Sequence, residues 1–133
     1  MARATNSSQA PSESGRAAGA GAVLIYHIAH KSEWDAQASS TAYAPSRYEG
    51  EGFIHCSETH QLEKVANKHF KGKTDLLVLE LMPTRLDAET KYEQGGEEKY
   101  PHIYGTINKS AIVRTVPVRC RPDGTFGGVF AGI

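Results

Sequence analysis

Charge of one sign is what this chain lacks. Its 15 Lys and Arg are matched by 15 Asp and Glu, so the formal charge at neutral pH is zero. A chain without a net field has no long-range pull toward nucleic acid or an anionic membrane, and the cluster Arg114, Arg119 and Arg121 is offset by acids elsewhere. Long apolar runs are missing too: no stretch approaches the ~20 residues of a membrane-spanning helix, and no membrane association is expected. Cysteine is scarce. Cys56 and Cys120 are the only two, and they match no CxxC spacing. Their apolar neighbours favour free thiols in a reducing cytoplasm over a disulfide. HxH and HExxH are absent, which removes the local zinc signatures.

With 133 residues the chain has room for one domain. Residues 1–21 are rich in Ala, Ser and Gly and read as a disordered tail, with an organelle transit peptide as the other reading. Residues 22–133 read as a single globular domain. Val23–Ile28 and Phe53–Cys56 are expected strands, rich in β-branched and aromatic residues. Asp75–Met82 is almost continuously apolar and is expected at the centre of a sheet. Lys91–Gln94, Pro101–Tyr104 and Ile112–Cys120 complete the strand expectations. Ser32 is expected to cap a first helix ending near Ser39. Ser57 is expected to cap a second, running to Phe70 with Leu62, Val65, Ala66 and His69 at helical spacing. A long loop, residues 41–51, carries Tyr43, Arg47 and Tyr48, and Asp123-Gly124 marks a turn. The expected class is α+β: a mixed, strongly bent or split β-sheet with two main helices at its sides.

What is there, unusually, is a histidine in each of three short apolar segments: His27 in LIYHI, His55 in GFIHCS and His102 in YPHIYG. Imidazole in such surroundings needs a hydrogen-bond partner, a ligand or a chemical role. If the three strands are neighbours, the rings could line one cleft. Ser57 follows His55 by two residues and stands where a strand would pass into a helix, whose free N–H groups attract anions. Tyr100, His102 and Tyr104 share a face of an extended segment, and aromatic rings on one face can hold a planar ring. Arg47 is a candidate phosphate or carboxylate clamp. Glu93, Glu97 and Glu98 are candidate carboxylates for general-base work or for a ribose. Cys56 alternates to the face opposite His55 and reads as core. Three imidazoles could also bind a metal, although no spacing supports it.

Taken together, IYHIA, Trp34, YEGEGFIHCSE, LLVLEL and YPHIYGTIN resemble the small bacterial and plant family called domain of unknown function 952. That family is remotely similar to the ADP-ribosyltransferase-like fold. The resemblance implies a split sheet binding NAD between its halves; the missing ligand spacings lead to no metal being expected. It places His27 at the first-strand position that holds a ribose, and His55 and Ser57 at the next core strand beside the nicotinamide. Glu98, or His102 in the more distinctive string, falls at the position promoting glycosidic cleavage. Tyr104 would stack on a ring, and Arg47 would add a cation. The implied function is an NAD- or nucleotide-dependent transferase with an unnamed acceptor and a small nucleotide as partner; near-neutral charge argues against RNA. Two rivals stand beside it: a non-catalytic nucleotide or small-ligand binding module, and a three-histidine metal hydrolase.

Overall fold

The computed structural model describes residues 23–133; the tail expected over 1–21 lies outside the described residues. Two three-stranded sheets and one two-stranded ribbon form the framework. In the first sheet β1 (Ile25–His30), β4 (Leu76–Leu81) and β8 (Ile112–Val118) lie in the order β1-β4-β8. Every residue of β4 is buried, as its nearly continuous apolar run implied for a central strand. The exception in chemistry is Glu80, buried between Tyr26 of β1 and Arg114 of β8 in register. Arg114 Nε donates to its carboxylate at 3.1 Å, which makes a charge tolerable there.

The second sheet has the order β3-β6-β5, from β3 (Ile54–His55), β5 (Glu89–Gly95) and β6 (Glu98–Tyr104). Strands β5 and β6 form a hairpin whose tip uses Gly96 at φ +70, a conformation glycine adopts without steric cost. The ribbon pairs β2 (Ala42–Tyr43) with β7 (Ile107–Asn108), so the expected loop over 41–51 contains a strand and also the short helix α2 (Tyr48–Glu51). Helix α1 (Lys31–Ala36) follows β1 directly, and α3 (Leu62–His69) follows a 3-10 turn over Thr59–Gln61.

Two apolar clusters hold these layers. Between the sheets lie Ile25, Ala29, Leu77, Leu79 and Leu81 of the first sheet, Ile54 and Ile103 of the second, and Tyr43, Cys56 and Ile107. On the other face of the first sheet, Tyr26, Ile28, Leu76 and Val78 pack against Leu62 and Ala66 of α3 and against Phe126. Phe126, in the segment that follows the Asp123-Gly124 turn, is fully buried. Among the described residues, no such apolar layer covers the outward face of the second sheet.

Three expectations are corrected. The α+β class stands, but among the described residues every strand pairing is antiparallel rather than mixed. A parallel pair needs a helical crossover returning to the same sheet, whereas α3 links β3 to β4, which belong to different sheets. Ser32 does not cap the first helix. His30 still pairs with Leu76 in β1 and Lys31 N–H still bonds Asp75 O at 3.1 Å, so the helix starts straight from the strand with His30 as its cap residue. Nor does Ser57 cap the second. Ser57 and Tyr26 exchange backbone hydrogen bonds at 2.7 and 2.8 Å as the single bridge between the two sheets. The cap is Glu58, whose carboxylate and the Gln61 side chain form a reciprocal capping box.

Candidate functional site

The bridge between Tyr26 and Ser57 decides where the histidines go. An antiparallel ladder continued past it would pair Ile28 with His55. The strands diverge instead, and the His27 ring enters the gap, with Nδ1 2.7 Å from the His55 carbonyl oxygen. A carbonyl only accepts, so Nδ1 carries the proton and Nε2 is left as an acceptor. His27 is 6 % exposed, and its Nε2 is buried without a partner among the described residues. Burial pushes its pKa down to about 4, against the raising effect of the bond to His55. The ring lies beside Tyr43, centroids 5.9 Å apart, and the Tyr43 hydroxyl is likewise buried without a partner among the described residues. His27 therefore belongs to the layer between the sheets, and the three rings expected to line one cleft do not share a face.

His55 and His102 do. They are directly opposite each other across β3 and β6, with ring centroids 5.2 Å apart and planes at 77°. Each is backed by its own carboxylate. His55 Nε2 is 3.0 Å from Glu51 Oε1, and His102 Nδ1 is 2.7 Å from Glu93 Oε1. Because a carboxylate accepts, these nitrogens donate, leaving His55 Nδ1 and His102 Nε2 as the free positions. Tyr104 donates its hydroxyl to the same Glu93 oxygen. The Tyr104 hydroxyl first, and His102 second, hold the Glu93 carboxyl below the usual carboxylate range; the same bond raises the Tyr104 phenol. Phe53 closes the group, stacked on His102 at 4.4 Å and near the rings of His55 and Tyr104 at 4.8 and 5.5 Å. His55 keeps 52 % of its side chain exposed, while His102, beneath Phe53, keeps 12 %.

Cations border this surface. Arg47 donates to Glu51 at 2.6 Å, forming a chain Arg47–Glu51–His55 whose members are spaced four residues apart. The Lys91 ammonium lies 5.0 Å from the centre of the Tyr104 ring, a cation–π placement, and Lys91 is opposite His102 in register. At the end of α3, burial first, and then the charges of Lys68, His55 and Arg47, depress the pKa of His69.

Of the residues singled out from sequence, the structure gathers Arg47, His55, His102 and Tyr104 on this face. His27 lies behind it, and Ser57 lies in the bridge, 3 % exposed. Glu98 is corrected to a different place. It begins β6, four residues from His102, and its carboxylate is engaged by Gln61 and Lys64. The carboxylate beside His102 is Glu93. The anion-attracting helix start expected at Ser57 is occupied by the carboxylate of Glu58, which also accepts the Tyr92 hydroxyl at 2.8 Å. The three-histidine metal hydrolase loses its geometry with His27, and among the described residues no group of three or more His, Cys, Asp or Glu is arranged to hold a metal ion. Two surface depressions of about 330 and 500 Å³ lie elsewhere, one at the end of β4 near Lys31 and Arg119, the other beside the β2–β7 ribbon.

The family profile described as Protein of unknown function (DUF952) matches residues 28–115. The chain belongs to this family. The match runs from β1 through most of β8 and so includes His55, Glu93, His102 and Tyr104. Among solved structures, the DUF952 chain resembles protein CC0527 from Caulobacter crescentus, a structural-genomics target. The crystal structure of CC0527 is 29% identical, with a TM-score of 0.72, covering 81% of this chain and 98% of that one. The solution structure of the same protein is 30% identical, with a TM-score of 0.67, covering 77% and 90%. No curated protein matches the chain.

Sequence reasoning missed Glu51 and Phe53. A signal for Glu51 was present in the four-residue spacings Arg47, Glu51 and His55. For Phe53 the signal was strand alternation, which sets it on the face of His55 two residues away; its contact with His102 arises only when β3 meets β6.

Proposed function

We propose that this DUF952 chain is a nucleotide-handling transferase of the ADP-ribosyltransferase-like kind, with NAD as its co-substrate and the outward face of β3, β6 and β5 as its working surface. One observation carries the reading: the cross-strand pair His55 and His102, each oriented by its own carboxylate, set among aromatic rings and cations. Bound NAD would supply a glycosidic bond to nicotinamide whose cleavage frees an ADP-ribosyl group for transfer. The residues present suit such a molecule. Arg47 and Lys91 provide countercharge for a pyrophosphate, and Phe53 and Tyr104 provide ring faces for a base.

Breaking a glycosidic bond develops positive charge at the sugar carbon. Glu93, held ionised by Tyr104 and His102, is a fixed negative charge of the kind that stabilises it. His55 Nδ1, unprotonated while Nε2 donates to Glu51, is a base for the proton of an incoming acceptor. Glu98 has no part in this chemistry. The free thiols Cys56 and Cys120 support a reducing, cytoplasmic setting. No helix among the described residues is long and apolar enough to cross a membrane.

The second reading, a non-catalytic binding module, is favoured by the engagement of Glu93 Oε1 by both His102 and Tyr104, which ties that carboxylate into the wall of the surface. Histidine NMR during titration with NAD, ADP-ribose and zinc, together with chromatographic detection of released nicotinamide, separates the readings. The transferase predicts that NAD and ADP-ribose move the His55 and His102 signals, that zinc does not, and that nicotinamide accumulates. Movement without nicotinamide release leaves the binding module. Silence of both histidines toward both nucleotides overturns the proposal.

A further inference from the structure

We infer that His27 is a positioning residue for this surface: from the core side, its imidazole holds the backbone of β3 at His55 and thereby sets the His55 ring opposite His102. The inference rests on the reading of His55 and His102 as the working pair, but its test needs no ligand. Strand β3 is only two residues long. On one side it pairs with β6 at Ile54 and His55. On the other, its continuation meets β1 at a single bridge, Tyr26 with Ser57. Past that bridge no ladder bond from β1 reaches His55, and the bond from His27 Nδ1 at 2.7 Å takes its place. A strand this short, next to the divergence of two sheets, has few other constraints on its twist. The His55 side chain points out from the very residue whose carbonyl is held, so a shift of that carbonyl turns the ring relative to Glu51 and His102.

The geometry also dictates which substitutions should work. The side-chain nitrogen of asparagine is attached at the same atom as Nδ1 of histidine and can donate to the same oxygen. That of glutamine lies one bond further out, near the position of Nε2, where no acceptor lies among the described residues.

The experiment is nitrogen-15 NMR of the ring nitrogens of the full chain, with nuclear Overhauser contacts between His55 and His102, in wild type, His27→Asn, His27→Gln and His27→Ala. The wild type is expected to show His27 protonated at Nδ1 and unprotonated at Nε2, His55 protonated at Nε2, and a His55–His102 contact. Asn should retain the His55 pattern and the contact; Gln and Ala should lose both while remaining folded. A wild-type His27 protonated at Nε2 would overturn the inference even if every variant failed to fold. So would an unchanged His55 pattern in His27→Ala. Failure of NAD or ADP-ribose to bind would touch only the proposed function.

Discussion

His27 should make the stability of this protein depend on pH in a way that one substitution removes. The ring is buried and neutral, its pKa depressed from 6.5 to about 4 by loss of solvent. The unfolded chain regains the ordinary value. Between the two values the unfolded chain therefore holds a proton on His27 that the folded chain does not, and stability rises with pH across that window. The contribution is complete above pH 6.5 and is lost as pH falls through about 4. A shift of this size corresponds to about 3 kcal/mol at roughly 1.4 kcal/mol per unit, a large share of the ~5–15 kcal/mol that holds a typical domain together. The perturbation is His27→Asn, which keeps a donor for the His55 carbonyl and cannot titrate. The assay is urea unfolding of both proteins at several pH values between 4 and 7. Carboxylates and the other histidines contribute equally to both curves, so the difference between them isolates His27. Wild type is expected to lose about 3 kcal/mol more than the variant on acidification. Parallel curves would refute the reasoning and would mean that the imidazole accepts its proton without leaving the core.

Tyr43→Phe removes a buried hydroxyl that has no hydrogen-bond partner, so thermal unfolding should show unchanged stability or a gain of up to about 1 kcal/mol; a loss larger than that would reveal an unseen partner. Glu93→Gln removes the carboxylate that raises the Tyr104 phenol, and ultraviolet titration should find Tyr104 ionising at lower pH than in wild type. Gly105→Ala would place a Cβ 2.6 Å from the Ala88 Cβ, and overpacking of this kind costs about 1–3 kcal/mol; adding Ala88→Gly should recover part of the loss in a double-mutant cycle. Cys56 is buried, and burial raises its thiol well above the ordinary value, so a thiol reagent should modify it only on unfolding, and labelling at a rate independent of unfolding would contradict its place in the core.

The pattern of residues along the chain was enough to settle the kind of elements and much of their placement. β4 reads as central because six successive positions are apolar or paired, and only a strand covered on both faces tolerates that. The amphipathic α3 is announced by Leu62, Val65 and Ala66, and the family by the strings around His55 and His102. Alternation correctly separated Cys56 from His55, because successive strand residues point to opposite faces whatever the fold.

Assembly decided the rest. Alternation says which residues share a face, not which face meets the core. His27 turned inward because β1 contributes Ile25 and Ala29 to the layer between the sheets, and His55 turned outward because Ile54 and Cys56 fill the same layer from the other side. The choice between Glu93 and Glu98 depended on hairpin register. Glu93 pairs with Tyr100, which sets it diagonally beside His102 within reach of a side chain, whereas Glu98, four places along the same strand as His102, is about 13 Å away at the usual rise. Ser57 looked like a helix cap because its neighbours allow one, yet its backbone N–H and C=O are both tied to Tyr26 as a strand bridge, and the helical turn starts one residue later, with Glu58 as its cap. Each of these outcomes turns on which distant backbone arrives alongside, and local residue preferences carry no information about that.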